Sequence, residues 1–234
     1  MERKYFARGG RMAKIGGKFV SYAPRIFSAV VVSSVLVSVP ADLVQAVTLD
    51  TEVTTPQVLT GEDATITSSG GIAIQDSSAT GAYTALDIID TPYTGDVLNQ
   101  GTISLDLSNA TGTSLDVTAT AINGDTFDGA SIQNSGTINI DVNLNAADTD
   151  TAASASADAE ISASAYGFAA NAIDNTSVTN SGTIDIDLML DTVATANGVS
   201  NAYASASMTD AEAYGVYVPG ASVGAEVNNT GTIS

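Results

Sequence analysis

The sequence predicts an all-β repeat protein whose units stack into a solenoid, and three observations carry that prediction. A short phrase recurs along the chain, as NQGTISLDL from Asn99, NSGTINIDV from Asn134, NSGTIDIDL from Asn180 and NTGTIS from Asn229. Its glycines, Gly101, Gly136, Gly182 and Gly231, are 35, 46 and 49 residues apart. Periods of that size belong to architectures in which one unit cannot bury its apolar face alone and stacks on a neighbour. After each glycine, β-branched apolar residues alternate with polar ones, the pattern of a half-buried strand. Ser, Thr, Asn, Asp and Gly occupy the positions where a long helix would need helix formers.

The N-terminal segment is of a different kind. All seven basic residues (Arg3, Lys4, Arg8, Arg11, Lys14, Lys18, Arg25) fall in the first 25 positions, and no Lys, Arg or His follows. The apolar run IFSAVVVSSVLVSV comes next, then Pro40 and the small-residue site VQA ending at Ala46. A basic start, a short apolar run and small residues at a cleavage site predict a signal peptide over residues 1–46, cut after Ala46. A membrane anchor fits less well, because the run is shorter than the ~20 residues a bilayer helix needs and Pro40 closes it.

Of 26 carboxylates, only Glu2 and Asp42 precede the cut, so the mature chain carries 24 and no basic side chain. Such a polyanion is expected to stay in solution, to be repelled by nucleic acid and anionic membranes, and to attract cations or basic partners. Weak, adventitious Ca²⁺ binding is expected on the same ground; a structural Ca²⁺ site is not. The chain has no Cys, which removes both a disulfide framework and a lipidated cysteine as sources of stability or anchoring.

At each corner an asparagine (Asn99, Asn134, Asn180, Asn229) precedes the glycine by two positions. Asn bonds its own backbone and tolerates the left-handed region, and Gly accepts positive φ without steric cost, so the pair predicts a tight turn. In the strand that follows, Ile138, Ile140, Val142 and Leu144 point one way and Thr137, Asn139, Asp141 and Asn143 the other. Ile103, Leu105 and Leu107, and Ile184, Ile186 and Leu188, repeat that phase, which places Asp106, Asp141 and Asp187 on the solvent side.

A second landmark precedes each corner by 16 or 17 residues: TAL at Thr84, TAI at Thr120, YGF at Tyr166 and YGV at Tyr214. Each unit therefore holds at least two strands in fixed relation. Leu115, Val117, Ala119 and Ala121 alternate ahead of Ile122 on one predicted face. The tracts ASASADAE from Ala153 and ASASMTDAE from Ala204 read as flexible low-complexity linkers or as strands with methyls inward and hydroxyls outward, and the strict alternation favours strands. In-phase recurrence of Ile, Val and Leu opposes a disordered acidic chain, which needs no phase.

Signal, acidic Ala/Ser/Thr/Asn/Gly-rich body, absence of cysteine and N-x-G-T-I corners together resemble the passenger region of Gram-negative autotransporters. The long basic stretch MERKYFARGGRMAKIGGK is similar to the extended signals of that family. The resemblance covers residues 47–234 and implies a right-handed parallel β-helix, with residues 47–95 as N-terminal cap and first rungs and 96–234 as repeats. At the family's rung length of about 20 to 25 residues, each repeat would hold roughly two rungs. Family members end in a membrane β-barrel translocator, whose alternating strands and aromatic girdles have no counterpart here. The expectation is therefore a truncated passenger, at the cell surface or outside it in the intact product and periplasmic as this fragment.

For function, the resemblance implies a non-enzymatic, structural or adhesin-like stalk that contacts a host or cell-surface receptor, with no cofactor. The alternative is a β-helical carbohydrate-active enzyme. Nucleophilic catalysis with a His base is excluded by composition, and so is any step that needs a basic side chain. A glycosidase working with a carboxylate pair stays open, but no pair stands apart from the repeat pattern. GGIAIQD at Gly70 resembles a Ca²⁺-binding nonapeptide only in its double glycine, and occurs once. The outward aspartates are read as solvating a strand face and discouraging lateral aggregation.

Overall fold

The computed structural model describes residues 13–15, 18–20, 46–109, 112–220 and 222–234. Most of the signal segment, including the apolar run, thus lies outside the described residues. Strands β1 (Ala13–Ile15) and β2 (Lys18–Val20) form a small antiparallel pair within a unit of their own. Everything from Val47 onward is built from strands paired in parallel, and no helix among the described residues is long and apolar enough to cross a membrane.

Three parallel sheets wind around one axis. The first rung is β3 (Val47–Leu49), β4 (Glu52–Val53) and β5 (Gln57–Leu59); the second is β6 (Ala64–Ile66), β7 (Gly71–Asp76) and β8 (Gly81–Ile88). The third is β9 (Asp96–Asn99), β10 (Thr102–Asn109) and β11 (Ser114–Asp128), and the fourth β12 (Ser131–Asn134), β13 (Thr137–Asp150) and β14 (Ser156–Asp174). The fifth is β15 (Ser177–Asn180), β16 (Thr183–Ala196) and β17 (Tyr203–Tyr217), with β18 (Glu226–Asn229) and β19 (Thr232–Ile233) laid on it. Taking one strand from each rung, β3-β6-β9-β12-β15-β18 make sheet 1, β4-β7-β10-β13-β16-β19 sheet 2 and β5-β8-β11-β14-β17 sheet 3. The chain is a parallel β-helix.

Register corrects one expectation from the sequence. Ile103 pairs with Ile138, and Ile138 with Ile184, on adjacent strands, so each repeat is a single rung, not two. The rungs reach 46 and 49 residues because two sides lengthen together. Sheet 2 grows from the 6 residues of β7 to the 14 of β13, and sheet 3 from the 8 of β8 to the 19 of β14.

The lengthened sides pack against each other, and the alanines of β14 make that packing possible. Of the two Ala/Ser tracts, the first is strand only from Ser156, its start at Ala153 and Ser154 being a turn, and in the second Ala204 and Ala206 are exposed. On β14, Ala157, Ala159, Ile161, Ala163 and Ala165 are buried while the residues between them face outward. On β13, Ile138, Ile140, Val142, Leu144 and Ala146 are buried in the same alternation. Branched chains on one sheet thus meet methyls on the other. Cα atoms of β13 and β14 approach within 8 Å. The tract from Ala204 lies against residues 157–164 of the rung before, and a bulge at Thr209 absorbs its one extra residue, where Ile161 pairs Met208 and Ser162 pairs Asp210.

Both landmarks fall into columns. Thr84, Thr120, Tyr166 and Tyr214 are direct neighbours on sheet 3, and Leu86, Ile122, Phe168 and Val216 stack beside them. Leu115, Val117, Ala119 and Ala121 are all buried, as their alternation predicts, but so is Ile122 immediately after. Two consecutive residues facing inward cannot occur in a regular strand. Sheet 3 therefore bends at Ala121–Ile122, and at Gly167–Phe168 one rung on. Beyond the bend, Tyr93, Phe127 and Phe168 fill the interior, with ring centroids 5.6 Å and 5.4 Å apart.

Candidate functional site

The predicted corner residues form two adjacent columns at the junction of sheets 1 and 2. Asn99 Nδ2 donates to Asn134 Oδ1 at 2.7 Å, Asn134 Nδ2 to Asn180 Oδ1 at 2.7 Å, and Asn180 Nδ2 to Asn229 Oδ1 at 2.8 Å. Each donor amide also reaches the carbonyl of Thr137, Thr183 or Thr232 in the following rung. Asn99, Asn134 and Asn180 are buried, so the ladder satisfies amides that would be costly to leave unpaired. One rung earlier, Ile66 takes the place of Asn99, and the amide ladder gives way to an apolar stack.

The glycine column corrects the physical reason given for Gly101, Gly136, Gly182 and Gly231. None of them is among the described glycines at positive φ, which are Gly61, Gly81, Gly129 and Gly224. What excludes a side chain is the preceding rung: a Cβ on Gly101 would lie 2.1 Å from the carbonyl oxygen of Gly70, and one on Gly136, Gly182 or Gly231 would lie 2.1 Å from that of the preceding column glycine. Gly70, in the GGIAIQD stretch, is therefore the first member of this column and not part of a Ca²⁺ repeat. Its alignment was hidden in sequence because no Asn precedes it at the usual distance.

Asp106, Asp141 and Asp187 stand next to one another on the outer face of sheet 2, one per rung. Stacked strands are about 4.8 Å apart, half the ~10 Å separation expected when a repeat is counted as two rungs. Pairwise repulsion rises accordingly, from about 0.4 to about 0.9 kcal/mol in water. Partial burial, then the charges of Asp106 and Asp187, raise the pKa of Asp141 above its ordinary value. Gln75 Nε2 donates to Asp106 Oδ2 at 3.4 Å and caps the column at one end. Among the described residues, no three acidic or other ligating side chains are arranged to hold a metal ion.

On its outer surface, the bent part of sheet 3 carries a concave feature lined by both rings and polar groups. It is an open groove of about 460 Å³ that receives residues from four successive rungs, from Asp87 on β8 to Tyr217 on β17. Tyr166 and Tyr217 form one wall with ring centroids 4.8 Å apart, and Tyr214 continues the cluster at 5.2 Å from Tyr217 and 6.0 Å from Tyr166. The Tyr166 hydroxyl donates to Glu212 Oε2 at 3.3 Å, and burial, its largest influence, raises its pKa.

In the rungs of the groove before that of Tyr217, carboxylates and amides pair across rungs, and two of these residues, Asp87 and Asn123, stand in the same column as Tyr217. Asn123 Nδ2 donates to Asp87 Oδ1 at 2.9 Å, Asn171 Nδ2 donates to Asp125 Oδ1 at 2.6 Å, and the Thr91 hydroxyl donates to Asp125 Oδ2 at 3.1 Å. Of the groove and its ring cluster, the sequence marked only Thr120, Tyr166 and Tyr214, through the second landmark. The others are scattered over more than a hundred positions, and the bend that gathers them shows in sequence only as the small-then-large pairs Ala121–Ile122 and Gly167–Phe168. No protein-family model, curated protein or solved structure matches this chain.

Proposed function

We propose that the chain is the rigid, non-enzymatic part of an exported surface protein, a β-helical passenger of the autotransporter type that serves as a stalk with adhesive contacts on its sides. A β-barrel translocator would carry it outward, and its receptor would lie on a host or another cell. The observation that supports this reading best is the unbroken stacking of the asparagine and glycine columns, which lets the solenoid lengthen by one rung at a time without a new folding unit. The composition supports it from outside, since a chain without Lys, Arg or His after Arg25 stays soluble and resists non-specific adhesion to anionic surfaces.

Two features favour a binding role over hydrolysis. Asp125 accepts a hydrogen bond at each oxygen, and Asp87 accepts one from Asn123, so both groove carboxylates are already engaged by the chain's own donors. The Asp106–Asp141–Asp187 column lies on the outer face of sheet 2, away from the groove lining. The test is expression of the full gene product in a Gram-negative host. Export should yield a mature chain beginning at Val47 and accessible to protease added to whole cells. An uncleaved chain that stays in the cytoplasm would overturn the reading.

A further inference from the structure

The geometry points to the tyrosine-walled groove on sheet 3 as a site for a neutral or amine-bearing oligosaccharide lying along the solenoid axis. This deepens the adhesive reading and rests on it for biological purpose, while the binding itself can be measured without any surface display.

Size and shape come first. The groove crosses three inter-rung steps of about 4.8 Å, so it is about 14 Å long. Its volume of about 460 Å³ falls within the range of small-ligand sites. It is open along one side, which suits a chain passing through better than an enclosed single ring.

Tyr166 and Tyr217 are half-buried residues that line the groove, so part of each ring is open to the apolar C–H face of a pyranose, and aromatic contacts of this kind combine large area with little lost side-chain freedom. Elsewhere in the lining, Asp87 and Asp125 are held in place by Asn123 and Asn171 of the following rungs. Acceptors fixed before the ligand arrives lose little entropy when hydroxyls bind. The polar pairs recur from rung to rung, as sugar hydroxyls recur along an oligosaccharide.

Charge and backbone narrow the ligand class. Two carboxylates in the groove, Glu212 beside it and no basic residue after Arg25 repel uronates, sulfated glycans and phosphates. An extended peptide binds most readily by pairing with an open strand edge. The backbones of β11 and β14 beneath the groove are already paired on both sides, so a peptide would find only side chains.

The experiment titrates the full chain with cellotriose (neutral), chitosan trimer (cationic), trigalacturonate (anionic) and an oligo-arginine peptide, read by calorimetry and tyrosine fluorescence. Cellotriose or chitosan trimer should bind and trigalacturonate should not. Tyr166→Ala and Tyr217→Ala should each weaken binding tenfold or more, Tyr166→Phe less than threefold, and Tyr203→Ala, an exposed tyrosine outside the groove, not at all. Unchanged thermal unfolding of each variant separates loss of the site from loss of the fold. Binding by oligo-arginine alone, binding by trigalacturonate, equal binding by Tyr166→Ala, or no binding by any trisaccharide would overturn the proposal. Failure of surface display with glycan binding intact would overturn only the adhesive reading, and the reverse result only this one.

Discussion

The side chain of Asn99 donates to that of Asn134 at 2.7 Å, both buried, although 35 residues separate them in the chain. That bond is one step in a polarised ladder in which every interior asparagine accepts from the rung before and donates to the rung after. The stability of a corner therefore depends on the corners on both sides of it.

Asn134→Ala should remove about 2 to 4 kcal/mol of stability. It deletes the acceptor of Asn99 and the donor to Asn180 at once, and each buried polar group left unpaired costs about 1–3 kcal/mol. Asn229→Ala, at an exposed position of the ladder, should cost less than about 1 kcal/mol. Urea denaturation compares the two, and equal losses would contradict the ladder as a source of stability.

Glycine substitutions should separate two causes. An alanine Cβ at Gly136 would lie 2.1 Å from the Gly101 carbonyl oxygen, so Gly136→Ala must push rungs apart and should cost more than about 3 kcal/mol, beyond usual overpacking. Gly129 has φ of +74° and nothing within 4 Å of an added Cβ. Gly129→Ala should therefore cost only the left-handed penalty of about 1–2 kcal/mol. Thermal unfolding of the two variants is the check.

The strand phase predicts opposite signs at neighbouring positions. Ile140→Asp removes about 1.5–3 kcal/mol of burial and introduces an unpaired buried charge, so the neighbouring rungs should unfold. Asp141→Asn should be neutral or slightly stabilising, because it relieves repulsion from Asp106 and Asp187 at adjacent-rung spacing. A loss of stability in Asp141→Asn would contradict the like-charge column.

Acidity should act through Asp141 first. Its pKa in the folded chain is raised, so the folded state binds this proton more tightly than the unfolded chain does. Stability should rise as pH falls through the folded pKa and level off below the ordinary value of 3.8. Asp76 and Asp150 are lowered, chiefly by the backbone N–H groups of Ser78 and Ala152. Their contribution is present above the ordinary carboxylate pKa and is lost only as pH falls below 3.8. Stability followed by circular dichroism should peak in mild acid, and the rise on the neutral side should shrink in Asp141→Asn.

The packed layer between sheets 2 and 3 should reject bulk on one face of the Ala/Ser tract only. Ala163 is fully buried and Ser164 half-exposed. Ala163→Leu should strain or unfold the fourth rung, at a cost of about 1–3 kcal/mol or more, and Ser164→Leu should leave it within about 0.5 kcal/mol. Limited proteolysis between residues 150 and 175 reports the difference.

By itself the sequence determined the strands, their inward and outward faces and the alignment of corresponding positions. Alternation, Gly and Asn punctuation and in-phase repetition are local signals, and each repeat states them again. Ile138 over Ile103, Tyr166 over Thr120 and the alanines of the Ala/Ser tract facing inward all follow from that local grammar. Only the tertiary structure decided how many turns one repeat makes, because a 46-residue period fits one long rung or two short ones equally well until the strands pair. That choice brought Asp106 and Asp141 to adjacent-strand spacing and moved the role of the corner glycines from backbone conformation to close approach between rungs. It also produced the groove, since Asp87, Asn123, Asn171 and Tyr217 meet only where four rungs bend together, and no local pattern encodes a contact between residues 130 positions apart.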